Sequence, residues 1–352
     1  MYICDISPNS IGWIGSVQPF LGACMKAWVG SGAGAEVRFR LEDMPTLTPG
    51  PGELLVRTKA AGINRVDQFP TGSHFGHSPP VPLPIPGLEA AGEVVSVGPD
   101  VAGYKGGERV AAMVQGGCAE YVRMHAALAM AVPSGMTWAH AAALPVSYLT
   151  AHNALFALGQ LPSGGKLLIH AVSSGVGIGA LQLAVLHRAS AIIGTSTSSA
   201  KLEKLRALGL HCGIADPYAG FADKVLQETG GNGVDVVLDN IGGALLNDTM
   251  RCTALGGAVV NVGRLGGIKA EIDLNLHAAR RIRLLGATFR SRSLDQHAAI
   301  VRSFMSEHGQ ALADGSLAPV IDSVFPFQEL PAAVERSMQR AQLGKIVVEQ
   351  TG

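Results

Sequence analysis

The stretch Lys166-Leu-Leu-Ile-His170-Ala-Val-Ser-Ser174-Gly175-Val-Gly177-Ile-Gly-Ala180 decides the fold of this chain. Its apolar run predicts a buried strand, a Ser/Gly turn follows, and an apolar periodic pattern then opens a helix. A strand, a tight glycine turn and a helix direct backbone N–H groups and the helix N-terminus at a phosphate. The motif Gly175-x-Gly177-x-x-Ala180 matches the dinucleotide pattern G-x-G-x-x-G/A, which is weak alone and stronger between a strand and a helix. We therefore predict a dinucleotide site here.

Strands and helices alternate around this turn. Their order predicts a doubly wound parallel sheet with helices on both faces, an α/β fold. The segments before and after it are rich in strand patterns, so we predict a second domain that is split in sequence. The expected boundaries are a disordered extension at 1–24, a β-rich catalytic domain at 25–143 and 289–352, and a cofactor-binding domain at 144–288.

Composition narrows the class of protein. The 352 residues are 47% hydrophobic and carry a formal net charge of zero, which favours a globular chain without a nucleic-acid or anionic-membrane partner. No apolar run reaches the roughly 20 residues of a membrane span. None of the five cysteines forms a CxxC pair. We therefore expect reduced thiols and a cytoplasmic location.

The end of the second predicted strand of the sheet addresses the choice of cofactor. NAD-specific sites place an acidic residue there to bind the ribose 2′-OH. This chain has Gly194-Thr-Ser-Thr197-Ser198-Ser-Ala-Lys201 instead, and its first carboxylate is Glu203. Hydroxyls followed by a lysine suit a 2′-phosphate, so we predict NADPH, with Thr197, Ser198 and Lys201 as ligands. The alternative, a helix cap and a solvated lysine, remains open.

Several further motifs accompany the glycine turn, and together they are highly specific. From residue 25 to the C-terminus the chain resembles the medium-chain dehydrogenase/reductase superfamily, in its zinc-independent quinone oxidoreductase branch. This resemblance implies a GroES-like catalytic domain beside a Rossmann domain. The motifs are Gly62-Ile-Asn64-Arg-Val-Asp67, Ile85-Pro-Gly87-Leu88-Glu89-Ala-Ala-Gly92, Gly107-Glu-Arg-Val110, Gly117-Cys-Ala-Glu-Tyr121, Asp239-Asn-Ile-Gly-Gly243, Gly286-Ala-Thr-Phe-Arg290-Ser-Arg-Ser and Gly344-Lys-Ile-Val.

The resemblance also bears on metal binding. Zinc enzymes of the superfamily have Cys and His ligands where this chain has Asn64 and Leu88, and a four-cysteine lobe is missing between Val110 and Gly117. Because zinc needs thiolate, imidazole or carboxylate ligands, we predict no catalytic metal. The pair His74 and His77 lacks a third ligand and is interpreted as two loop histidines.

The resemblance assigns further cofactor residues. It shifts the phosphate turn to Val172-x-Ser174-x-x-Gly177 and matches Arg340 to an arginine that relatives use on the 2′-phosphate. Asp216 falls near the place of a tyrosine that relatives use there, which weakens the expected discrimination. The predicted cofactor residues are Ser174, Gly175, Val176, Gly177, Thr197, Ser198, Lys201, Asn240, Gly263, Phe289 and Arg340.

The expected chemistry is hydride transfer from NADPH to a quinone or conjugated carbonyl, with Asn64, Thr150 and Tyr148 as catalytic candidates. The Asn64 amide is expected to donate to substrate or to the nicotinamide ribose, whereas His170 is expected to brace the turn. Two alternatives stay open, a 2-enoyl or alkenal reductase with Tyr148 as proton donor, and a non-catalytic NADPH-binding protein. The resemblance also implies a homodimer formed by edge-strand pairing.

Overall fold

The computed structural model describes residues 24–70, 85–216, 218 and 220–350. Its N-terminal part is β-rich, as predicted. The first two strands form a separate antiparallel pair, and the third strand is the centre of a larger sheet that it shares with the fourth and sixth. The strands are β1 (Cys24–Ser31), β2 (Arg38–Pro45), β3 (Glu53–Ile63), β4 (Glu89–Val97), β5 (Arg109–Met113), β6 (Tyr121–His125) and β7 (Met130–Ala131).

Helical structure then links the two domains. Helix α1 (Trp138–Ala143) ends just before helix α2 (Pro145–His152), and a π-helical turn, Asn153–Leu158, continues it. Pro145 occupies the first turn of α2, where its missing N–H costs no hydrogen bond. Helical structure thus extends from Trp138 to Leu158 with a boundary at Pro145, and the sequence did not indicate the π-helical turn.

A six-stranded parallel sheet follows, with strand order β10-β9-β8-β11-β12-β13. The order reverses between β8 and β11, and that reversal is the usual binding point of open α/β sheets. The glycine turn follows β8 at this point. The elements are β8 (Lys166–Ile169), α3 (Gly175–Leu186), β9 (Ala191–Thr195), α4 (Ser199–Arg206), β10 (Cys212–Ile214), α5 (Phe221–Glu228), β11 (Val234–Asp239), α6 (Leu246–Arg251), β12 (Thr253–Asn261), α7 (Leu274–Arg280) and β13 (Arg283–Gly286).

The C-terminal segment returns to the first sheet. Its last strand pairs antiparallel with β3, and its preceding strand pairs parallel with that last strand. This pairing completes a seven-stranded sheet from both ends of the sequence. The α/β fold with a GroES-like domain and a parallel Rossmann sheet is confirmed, while the exact boundaries at 143 and 289 stay predictions. The elements are α8 (Leu294–Ala313), β14 (Ile321–Pro326), α9 (Leu330–Met338) and β15 (Lys345–Glu349).

Candidate active site

The glycine turn caps helix α3 with a serine. Ser174 Oγ accepts a hydrogen bond from Gly177 N at 3.1 Å, and the hydroxyl hydrogen remains available to a phosphate oxygen. The N–H groups of Gly175 and Val176 lie in the first helical turn and therefore have no intrahelical partner. A Cβ on Gly177 would lie 2.6 Å from two backbone carbonyl oxygens, so the turn needs glycine there. This arrangement is suited to a pyrophosphate.

The C-terminal segment lies against the same turn. Gly344 N donates to Ser173 O at 3.1 Å, and a Cβ on Gly175 would lie 2.7 Å from both Lys345 Cδ and Ser147 Oγ. Gly175 is therefore required by close packing of the catalytic domain as well as by the turn. The two domains meet at the predicted phosphate site.

His170 braces the turn from below, as the sequence analysis expected. Its ring is fully buried, with Nδ1 3.1 Å from Thr195 Oγ1 and Nε2 3.0 Å from Thr249 Oγ1. Burial lowers its pKa, so the ring is neutral near pH 7. Both ring nitrogens are engaged by hydroxyls, which fixes the residue as structural support.

A buried ion pair lies beside the turn and occupies Asn64. Lys345 Nζ donates to Glu89 Oε1 at 2.5 Å, to Asn64 Oδ1 at 2.9 Å and to Ile63 O at 3.0 Å. Asn64 Nδ2 donates to Glu89 Oε1 at 2.9 Å and to Gly62 O at 3.1 Å. Both amide hydrogens of Asn64 are thus committed within the protein. The expectation that this amide donates to substrate or to the cofactor is wrong for this geometry.

Asp67 orders the loop after β3. Its carboxylate accepts from Asn64 N at 2.7 Å and from Gly87 N at 2.9 Å. Burial raises the pKa of Asp67 to about 6, although the two backbone N–H bonds and the Lys345 charge act in the opposite direction. The residue therefore joins the 3₁₀ helix Arg65–Gln68 to the chain just before β4.

Tyr148 does not reach the cleft. Its side chain is 1% exposed, its hydroxyl donates to Gln182 Oε1 at 2.5 Å, and a Cβ on Gly179 would lie 3.5 Å from its ring. Burial raises its pKa far above the usual value of a phenol. Tyr148 therefore packs between α2 and α3, and the expectation of a catalytic proton donor is wrong. The sequence could not show this, because both buried tyrosines and tyrosines that face a cleft occur in helices.

Thr150 is placed more favourably. It is partly exposed in α2 and lies three residues after Ser147, so the two side chains share one helix face. Ser147 Oγ lies close to the position that a Cβ on Gly175 would take, which puts this face beside the phosphate turn. Thr150 stays a predicted contact on the cofactor side.

Cationic side chains gather where a 2′-phosphate is expected. Lys201 Nζ donates to Arg340 O at 3.1 Å, and Ser198 caps α4 by accepting from Lys201 N at 3.4 Å. Thr197 is exposed beside them. Arg65 is half-buried, and its pKa is lowered by burial and by the charge of Arg340. We call Arg65, Lys201 and Arg340 the cationic rim. Asp322 also lies near Lys201, and its charge acts to raise the pKa of Lys201 against the lowering by burial.

Asn240 and Gly263 lie together at the carboxyl ends of β11 and β12. Asn240 Nδ2 donates to His170 O at 3.0 Å. A Cβ on Gly263 would lie 2.4 Å from Asn240 O, so Gly263 is needed for the close approach of the two segments. The pair shapes the edge of the sheet next to the phosphate turn, and its contact with the cofactor stays a prediction.

Phe289 lines an apolar pocket on the catalytic-domain side. The pocket is bordered by Met113, Leu128 and Leu149 together with Phe289, His297 and Val301. The Phe289 and His297 rings pack edge to face, with their centroids 5.0 Å apart. The predicted contact of Phe289 with the cofactor stays a prediction.

Sequence reasoning missed three side chains of this site, namely Glu89, Lys345 and Arg65. All three lie within or beside the motifs Gly62 to Asp67, Ile85 to Gly92 and Gly344-Lys-Ile-Val, which were used as family markers. A lysine and a glutamate that both sit in otherwise apolar, glycine-containing strand patterns are a signal for a buried pair. The histidines 74 and 77 lie outside the described residues.

A nicotinamide dinucleotide fits these residues, whereas a catalytic zinc ion does not. The glycines at 175 and 177 leave room at the N-terminus of α3, and the cationic rim offers counter-charges for phosphate. At the two zinc positions, Asn64 Oδ1 accepts from an ammonium group and Leu88 has no donor atom. The fold and the site together define a nucleotide-dependent oxidoreductase.

Comparison with known proteins identifies the family. The chain matches the alcohol dehydrogenase GroES-like domain over residues 50–150 and the zinc-binding dehydrogenase family over residues 214–348. It is 30% identical to the synaptic vesicle membrane protein VAT-1 homolog of Mus musculus over 341 residues, 92% of this chain and 83% of the relative. The chain therefore belongs to the medium-chain dehydrogenase/reductase superfamily, and Asn64 and Leu88 are consistent with its zinc-independent branch.

Two further relatives illustrate the range of this superfamily. The quinone oxidoreductase of Rattus norvegicus is 27% identical over 318 residues, which cover 90% of this chain and 94% of the relative. The crystal structure of the CurK enoyl reductase superposes with a TM-score of 0.78 at 26% identity, covering 93% of this chain and 99% of that one. No helix in the described part of this chain is both long and apolar enough to cross a membrane.

Proposed function

We propose that this protein transfers hydride from NADPH to a quinone or a related conjugated carbonyl. The observation that carries the proposal is the cationic rim, where Lys201 Nζ bonds the carbonyl of Arg340 at 3.1 Å and Arg65 lies close enough to feel the Arg340 charge. Three cations beside the hydroxyls that follow β9 favour a 2′-phosphate over a bare ribose. The quinone oxidoreductase relative supports the substrate class.

The reduced nicotinamide, when bound, supplies the hydride. The chain's residues orient and enclose it: the α3 N-terminus with Ser174 holds the pyrophosphate, and the cationic rim holds the 2′-phosphate. Phe289 and its apolar neighbours are the candidate contacts for the ring of a quinone. Reduction of a quinone produces a phenolate, which is stable without a dedicated strong acid. This matches a site in which Asn64 and Tyr148 are both committed to internal hydrogen bonds.

Steady-state kinetics with both cofactors test the proposal. We expect Lys201→Ala and Arg340→Ala each to raise KM for NADPH by about tenfold or more, since a charge-assisted hydrogen bond contributes about 1.5–3 kcal/mol. KM for NADH should stay nearly constant. Lys204→Ala is the matched control, because Lys204 is exposed on the same helix α4. Equal effects of the two α4 variants would contradict the assignment of the 2′-phosphate.

A second candidate is an enoyl or alkenal reductase, which the likeness to the CurK enoyl reductase favours. That reaction adds a proton to carbon, and the donor suggested for it, Tyr148, is buried against Gln182. Turnover of crotonyl thioesters or alkenals above that of ortho- and para-quinones would support the enoyl reductase. The third candidate is a non-catalytic NADPH-binding protein, which NADPH binding without turnover of any of these substrates would support.

We also propose a cytoplasmic homodimer. Strand β13 is an edge of the parallel sheet, and exposed apolar side chains, Leu284, Ile268 and Leu274, lie on it or on the segment before it. A second copy pairing β13 with β13 would cover this edge. The described cysteines are free thiols, which suits a reducing compartment. Light scattering of the parent and of Leu284→Lys tests the dimer, and a monomeric parent would contradict it.

A further inference from the structure

A polar cluster outside the cofactor and substrate residues joins α2 to α8. It consists of His152 at the end of α2 and Glu307 and His308 in the second half of α8. His152 is 156 residues from His308 in sequence, yet His152 Nδ1 lies 3.3 Å from His308 Nε2. One ligand atom from each of the three side chains falls within 4.8 Å of the others. We call these three residues the histidine cluster.

The histidine cluster already forms a hydrogen-bonded chain. Ser303 Oγ donates to Glu307 Oε1 at 2.8 Å. Ser303 Oγ in turn accepts a hydrogen bond from His152 Nε2 at 3.2 Å. His152 then presents the lone pair of Nδ1 to His308, which donates from Nε2. The chain fixes both rings, with their planes nearly perpendicular at 84°. The imidazoles are therefore held in place before any ligand arrives.

The histidine cluster packs against aromatic rings on one side and is open to solvent on the other. Phe304 and Phe156 pack their rings against the His152 ring, with centroids 5.7 Å and 5.3 Å away. The His152 and His308 side chains are 3% and 9% exposed, whereas that of Glu307 is 50% exposed. Two buried imidazoles thus face one half-exposed carboxylate at the solvent boundary.

The donor set and its spacing are those of a first-row transition metal. We propose that the histidine cluster binds a divalent ion of this class, Zn²⁺ or Co²⁺, through His152, His308 and Glu307. Bonds of about 2.0–2.2 Å to imidazole and carboxylate in a tetrahedron place neighbouring ligand atoms roughly 3.3–3.5 Å apart. His152 Nδ1 and His308 Nε2 already have this separation. Glu307 Oε2 lies 4.0 Å from His308 Nε2, and Glu307 Oε1 lies 3.9 Å from Nε2, the other ring nitrogen of His152.

Ligation through His308 Nε2 requires the ring proton to move to Nδ1. The exposed Glu307 side chain has to move closer to the two imidazoles, and water supplies a fourth ligand. Burial lowers the pKa of His152 to about 4 and also lowers that of His308, so both rings are unprotonated at neutral pH. The bound ion would link α8 to the end of α2. It would stabilise the contact between these two helices and would have no part in hydride transfer.

Metal titration of the whole chain tests the proposal. Protein stripped with chelator is titrated with Zn²⁺ by calorimetry and with Co²⁺ by its visible d–d absorption. We expect one equivalent to bind, with tetrahedral Co²⁺ bands, and the melting temperature to rise with ion concentration. Glu307→Gln and His308→Gln should each weaken binding about tenfold or more and remove that rise.

Two controls keep the result specific. His277→Gln changes a partly exposed histidine on α7 and should leave binding unchanged, and so should the double variant of His74 and His77. Glu307 is half exposed, so Glu307→Gln is expected to fold, and its melting temperature without metal checks this. Absence of binding by the parent, or binding that Glu307→Gln and His308→Gln leave intact, would overturn the proposal and leave the hydrogen-bonded chain as the whole role of the cluster.

Discussion

Replacing Lys345 by Met removes one charge of the buried ion pair and keeps the length of the side chain. Lys345 is 5% exposed and Glu89 is 0% exposed, so the variant leaves a carboxylate without its counter-charge inside the protein. Glu89 retains hydrogen bonds from Asn64 Nδ2 at 2.9 Å and Val146 N at 2.7 Å. Losing one partner of a buried pair costs about 3–5 kcal/mol. We expect a loss of that size in the free energy of unfolding.

Urea unfolding followed by tryptophan fluorescence measures this loss, because Trp28 and Trp138 both lie in the catalytic domain. Lys59→Met is the matched control: Lys59 is 3.3 Å from Glu93 in the same sheet, but the pair is partly exposed. Such a pair contributes about 0–1 kcal/mol. The double variant Lys345→Met with Glu89→Gln should lose less than the sum of its single changes.

The reasoning about the buried pair would be refuted by either of two results. One is a Lys345→Met variant whose stability stays within about 1 kcal/mol of the Lys59→Met control, the size expected of a surface pair. The other is strict additivity in the double variant, since residues in direct contact are expected to couple by about 0.5–3 kcal/mol.

Three further predictions concern the turn, the loop and the cofactor edge. Gly177→Ala should destabilise the protein by about 2 kcal/mol or more and weaken NADPH binding in calorimetry, whereas Gly309→Ala in mid-α8 should stabilise it by up to about 1 kcal/mol; equal effects would contradict the tight turn. Asp67 keeps a proton in the folded state that the unfolded chain loses, because its pKa rises from 3.8 to about 6. The stabilisation that the Asp67 proton provides is therefore fully present below pH 3.8. It decreases as pH rises through 6, by about 3 kcal/mol in total. Urea midpoints should show this decrease in the parent relative to Asp67→Asn, and a difference independent of pH would contradict it. Asp216→Asn removes a carboxylate expected near the 2′-phosphate and should lower KM for NADPH by up to about fivefold, as befits an exposed charge; an unchanged NADPH/NADH ratio would place Asp216 away from the phosphate.

Hydrophobic periodicity predicted the parallel sheet well because its strands are buried on both faces. In sequence, strands β8, β11 and β12 are short apolar runs between glycine-containing turns, which is the pattern expected of buried strands. Helix α7, Leu274–Arg280, was not predicted, since none of its residues is buried and it has no apolar face. The π-helical turn after α2 likewise has no signature in the hydrophobic periodicity of the sequence.

The site was harder to predict because its key contacts are remote in sequence. The oxygen of Asn64, a residue predicted to face the cleft, accepts a hydrogen bond from Lys345, which is 281 residues away in sequence. Tyr148 lies in helix α2, but it is buried and its hydroxyl donates to Gln182. Arg65 comes close to Arg340 only in the folded chain, so the sequence alone did not indicate a role for Arg65. Local patterns indicate which residue types are available, whereas competition among internal partners decides which of them stay free.

The most direct test of the account is the rate of NADPH oxidation by purified protein with ortho- and para-quinones, repeated with NADH and with Arg340→Ala. We predict turnover with NADPH that exceeds turnover with NADH in kcat/KM, and loss of that preference in Arg340→Ala. No NADPH-dependent turnover of any quinone would contradict the proposed activity. Turnover with equal kcat/KM for the two cofactors would contradict the role assigned to the cationic rim.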